Sequence, residues 1–196
     1  MNLDDMGIPA KSPPKEYSTV RSASGIHDHN SFGVDLYKQI CPQEGEAHER
    51  WFARLQARIP EVTVGEVLTD ALLKQIVART EYELPKELMS LWAVAPGISI
   101  EHHNFLFTPA DFLRENMFYV DFVPEIPKQM VFVGGNDGFN AAVALGADDT
   151  FVYEWSHEEG FTGLKAASIM HYVSEAIAWY ATTFSPFCVR RGYVPK

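Results

Sequence analysis

Apolar residues recur every three to four positions up to Pro96-Gly97 and alternate beyond it. This change of period constrains the fold most, because a helical stripe and a strand alternation need different backbones. Trp51, Leu55 and Ile59 share one stripe and predict a first helix over 46–59, stopped by Pro60. Thr63-Val64-Gly65-Glu66 has the form of a capping box, a hydroxyl followed three residues later by a carboxylate. It predicts a second helix to about Thr80, with Leu68, Leu72 and Ile76 in register and Leu73 and Val77 beside them. Pro85 suits the first turn of a third helix, Lys86 to Ala95, closed by Pro96-Gly97.

After Gly97, Ile98 to His102 alternates as a strand, and Phe105-Leu106-Phe107 forms a second short one. Thr108 can cap a helix from Pro109 to about Asn116. A buried strand over Gln129–Gly134, a turn at Gly134-Gly135-Asn136-Asp137-Gly138 and a return strand over Phe139–Leu145 make a hairpin. Thr150 to Trp155 is a further strand. Ile169, Val173, Ala176, Ile177, Tyr180 and Phe184 line one face of a long helix over 166–184. The fold class is α+β: a mainly antiparallel sheet flanked by N-terminal helices and a C-terminal amphipathic helix. Helices are expected on one face, with the other partly open. Residues 1–45, broken by Pro9, Pro13 and Pro14, read as an irregular N-terminal arm with Phe32, Val34, Leu36, Tyr37 and Ile40 as its anchors. Residues 46–196 read as one domain.

The motifs exclude more chemistry than they admit. The glycine cluster at 134–138 lacks the Lys-Ser/Thr of a phosphate loop and leads into a strand, so no helix dipole faces an anion. Cys41 and Cys188 give no metal spacing and no disulfide framework. His27 and His29 lie in the arm, and His102-His103, adjacent in a strand, should face opposite sides. No Ser-His-Asp order with an elbow signature is present. No catalytic residue, metal or cofactor is therefore expected. The N-terminus has no basic and apolar leader, and no apolar run reaches a membrane span, so a cytoplasmic protein is expected.

Charge gives the one positive lead. The net charge is −10, and residues 97–160 set eleven acids against only Arg114 and Lys128. Such a segment repels nucleic acid and attracts a basic protein. The candidate partner-binding residues are Asp137, Asp148, Asp149, Glu154, Trp155, His157, Glu158 and Glu159. Paired acids in polar loops are ordinarily solvated surface. Trp155 admits two readings, an interface anchor within an acidic rim or a strand end buried in the core.

The order of segments resembles the SUKH superfamily of bacterial toxin-immunity proteins and a fungal cell-wall-assembly regulator. The resemblance runs from about Leu68 to Ile177, roughly 110 residues. It is carried by Leu84-Pro85, Glu87-Leu88, Leu91-Trp92 and Gly97, then Phe132 to Gly138, Val152-Tyr153-Glu154-Trp155, and Ile169, Val173 and Ile177. Pro96 stands where the family commonly has a polar residue, the connection from Thr108 to Lys128 is longer, and residues 1–45 lie outside the match. The resemblance implies that 46–196 form a SUKH-like domain without a shared catalytic centre. It implies an immunity protein that neutralises a cognate toxin, such as a basic nuclease. A regulatory adaptor for a host protein is the alternative, and an enzyme or small-ligand binder with an unrecognised pocket is a third.

Overall fold

A computed structural model describes residues 31–80, 83–123, 126–136, 139–146 and 150–183. Its helices are α1 (Ser31–Ile40), α2 (His48–Arg58), α3 (Asp70–Arg79), α4 (Lys86–Val94), α5 (Pro109–Phe122) and α6 (Ile169–Thr183). Its strands are β1 (Ile98–Ile100), β2 (His103–Leu106), β3 (Met130–Asn136), β4 (Phe139–Ala144), β5 (Val152–Ser156) and β6 (Gly160–Ala166). The α+β class and the antiparallel pairing are those read from the sequence. The strands form a two-stranded sheet, β1-β2, and a four-stranded meander, β3-β4-β5-β6.

The helical stripes do what their spacing requires. Trp51, Leu55 and Ile59 are all fully buried. The Trp51 indole N–H donates to the Ile40 carbonyl at 3.0 Å and to Ser174 Oγ at 3.2 Å, and Ser174 Oγ donates to the same carbonyl at 3.1 Å. That network joins α1, α2 and α6 around satisfied polar groups. Residues 31–40, expected to be irregular, are thus helical, and Leu36 and Ile40 are buried in the core.

The second helix begins later than its capping box suggests. Thr63 exchanges two backbone hydrogen bonds with Ser99 of β1, at 2.8 and 3.0 Å, and Gly65 N–H bonds the Pro96 carbonyl. Pairing with the sheet takes these residues away from helix, and the Thr69 hydroxyl caps α3 by accepting from Leu72 N–H at 3.2 Å. The third helix starts at Lys86 as expected, and Gly97 adopts a φ of 93° that favours glycine.

Gly134 and Gly135 belong to β3 rather than to a turn, with Asn136 opposite Phe139 and residues 137–138 outside the described part. Register shifts between Phe132 and Gly134 mark a bulge there. A methyl group on Gly134 would collide with the Phe105 carbonyl, so glycine serves close approach between β2 and β3. Phe107 N–H bonds the Val133 carbonyl at 2.7 Å. Asn116 of α5 donates to the Phe132 carbonyl at 2.9 Å and accepts from its N–H at 2.7 Å. These contacts cover the β3 edge, which would otherwise present unpaired backbone groups.

The four-stranded sheet carries helices on both faces, unlike the half-open sheet expected. On one face Tyr119 of α5 packs on Phe132, with ring centroids 4.5 Å apart. On the other, Tyr172 of α6 lies where a side chain at Gly134 would project. The apolar runs Met130–Val133 and Ala141–Leu145, buried throughout, are what a sheet covered on both sides demands. Among the described residues, no helix is long and apolar enough to cross a membrane.

Candidate partner-binding surface

Strand alternation sends Glu154 and Trp155 to opposite faces of β5. Trp155 is 5% exposed and joins the α5 side of the core. Its ring lies 5.3 Å from Phe132, 5.4 Å from Tyr119 and 4.6 Å from His157. Of the two readings of Trp155, strand-end burial describes its position. Glu154 points to the α6 face, where it pairs with Lys165 at 3.0 Å and accepts from the Thr162 hydroxyl at 3.2 Å.

The turn after β5 is set by Ser156, whose buried hydroxyl accepts from Glu159 N–H at 3.1 Å, and by Gly160 at a φ of 70°. This holds His157, Glu158 and Glu159 exposed at the tip. The His157 ring meets Trp155 edge to face and lies 5.9 Å from Tyr119. The Tyr119 hydroxyl accepts from the Asn140 amide at 2.8 Å, and burial raises its pKa. Phe118 is 51% exposed, with its ring edge-on to Tyr119 at 5.6 Å.

Tyr119 therefore bridges Phe118 and His157, with buried Trp155 against both Tyr119 and His157, and Glu158 and Glu159 follow His157 in the exposed turn. Phe118 and Tyr119 escaped the sequence reading because it ended the helix at Asn116. The signal was present, since Phe112, Asn116 and Tyr119 follow helical spacing. Asp137, Asp148 and Asp149 lie outside the described residues. His102 and His103 were expected on opposite sides, but their rings sit 4.9 Å apart because His102 belongs to the β1–β2 turn.

A second polar cluster lies across the sheet. Glu175 of α6 is 6% exposed. Burial pushes its pKa up to about 7, the Lys165 charge opposing and the Glu154 charge assisting that rise. Tyr172 is held far above its usual range, first by burial and then by the charges of Glu154 and Glu175.

No protein-family model matches this chain, and no curated protein matches it.

Proposed function

We propose that this protein acts by stoichiometric binding, as an immunity-type domain that neutralises a basic toxin or effector, and that it is not an enzyme. The observation that carries the reading is Phe118, 51% exposed and packed on Tyr119, whose ring in turn meets Trp155 and His157 of the acidic β5–β6 tip. An exposed aromatic ring with its support already in place loses little conformational freedom on binding, the character of an interface anchor. Glu158 and Glu159 supply the field that draws a basic partner to it. The resemblance of the segment order to the SUKH superfamily supports an immunity role for such a surface.

The test is binding kinetics between the purified chain and the toxin candidate encoded beside its gene. Glu158→Lys with Glu159→Lys should slow association at low salt, and the difference should shrink as salt screens the charges. Phe118→Ala should speed dissociation instead. A complex that forms equally well in all of these variants would exclude this surface. A complex with a host protein instead of the toxin would favour the adaptor role.

A further inference from the structure

The flank of α5 opposite the aromatic patch borders a different site. Between α3 and α5 the surface opens into a cleft of about 140 Å³. Its apolar surface is presented by the half-buried Leu113 and Met117, which lie over Ile76, Phe112 and Met130, all at least 96% buried. At its rim stand Arg79, from the last turn of α3, and Lys128, from the connection into β3.

Cations are scarce in this part of the chain. Only Arg114 and Lys128 fall within residues 97–160, in a protein of net charge −10. Arg114 is occupied by Asp111 at 2.7 Å and Glu115 at 3.1 Å. Lys128 and Arg79 are both exposed, and neither forms an ion pair among the described residues. The cleft's amide group, Asn116, is already bonded to the backbone of Phe112 and Phe132. Two cations without an ion-pair partner among the described residues, bordering an apolar surface, ask for a ligand with an anionic end and an apolar body.

We propose that this cleft binds a small amphipathic carboxylic acid, with its apolar body against Leu113 and Met117 and its carboxylate between Arg79 and Lys128. Size sets the class. Sites for cofactors and drug-sized ligands run from about 300 Å³ upward. An apolar cavity of about 150 Å³ takes up benzene, so this one suits a single ring or a short alkyl chain. The inference is independent of the partner-binding surface and survives if that reading fails.

Methyl-labelled methionine resonances of the full chain test it, with Met117 and Met130 as reporters and sodium benzoate, benzyl alcohol and benzylamine as probes. Benzoate should shift both methyl signals and saturate in the millimolar range, as befits so small a ligand. Benzyl alcohol should bind at least about tenfold more weakly, and benzylamine more weakly still. Arg79→Gln combined with Lys128→Gln should weaken benzoate by about tenfold or more while leaving benzyl alcohol and the unliganded spectrum unchanged. Equal binding of benzoate and benzyl alcohol would overturn the proposal, as would the absence of a saturable benzoate shift at Met117 and Met130.

Discussion

The Glu87 carboxylate on α4 accepts a hydrogen bond from the backbone N–H of Ile169, the first residue of α6, at 3.1 Å. It also accepts from Met170 N–H at 3.1 Å and from the Thr150 hydroxyl. One side chain thus satisfies two unpaired donors of a helix N-terminus, lies favourably in its dipole and fixes the approach to β5.

Glu87→Ala should therefore destabilise the fold by roughly 2–3 kcal/mol, the scale of hydrogen bonds to a charged group. Glu87→Gln keeps an acceptor but loses the charge and should cost less. Urea unfolding checks this, with the midpoint falling and the denaturant slope unchanged. An unchanged midpoint for Glu87→Ala would mean that solvent caps α6 equally well.

Glu175 makes stability depend on pH. Its folded-state pKa of about 7 lies above the ordinary 4.5, so the folded chain binds more protons between those values. Its contribution is full below about pH 4.5 and is lost as pH rises through 7. His171, whose pKa burial lowers, acts in the opposite sense, losing stability as pH falls from 6.5. Glu46, held low by its hydrogen bond from Arg54, acts below pH 4.5. Comparison with Glu175→Gln isolates the one group. The variant should match the parent near pH 4 and exceed it by about 3 kcal/mol near pH 8. Parallel stability curves for the two proteins would refute an ionising buried carboxyl.

Phe118 and Trp155 should separate binding from folding. Trp155→Ala empties a site packed by Tyr119 and Phe132 and should cost roughly 3–5 kcal/mol of stability. Phe118→Ala should change stability by less than about 0.5 kcal/mol, yet weaken partner affinity by about 2 kcal/mol. Thermal unfolding and calorimetric titration together measure both. A destabilised Phe118→Ala would return that ring to the core.

Gly134→Ala should destabilise by roughly 1–3 kcal/mol, because the added methyl meets the Phe105 carbonyl across the β2–β3 contact. Hydrogen exchange at Phe107 N–H should quicken in the variant, since its bond to Val133 spans the same contact. Retained protection there would show that the two sheets separate without cost.

Where the sequence was legible, local spacing and tertiary packing agreed. Trp51, Leu55 and Ile59 name α2 by themselves, and Thr108-Pro109 starts α5 with the cap read from it. The failures fall where a distant segment decides. Thr63 has the composition of a cap, but Ser99 offers it a strand partner. Asn116 resembles a helix end, yet its amide clamps Phe132 and the helix runs on to Phe122. Strand β6 carries Gly160, Thr162, Gly163 and Lys165, with no apolar alternation, and forms by pairing along β5. The aromatic patch was hidden for the same reason. Tyr119, Trp155 and His157 meet only once α5 lies on the sheet.

The Ile40 carbonyl, shared by Trp51 and Ser174, orders the events of synthesis. Ser174 follows Ile40 by 134 positions, so a growing chain carries Leu36 and Ile40 through that whole stretch without the helix that covers them. The chain can build α2 and α4 early, but contacts of such long range close late and slowly. Until α6 leaves the ribosome, the α1 side of the core stays open to proteases and to other nascent chains, and α6 then completes the burial of α1.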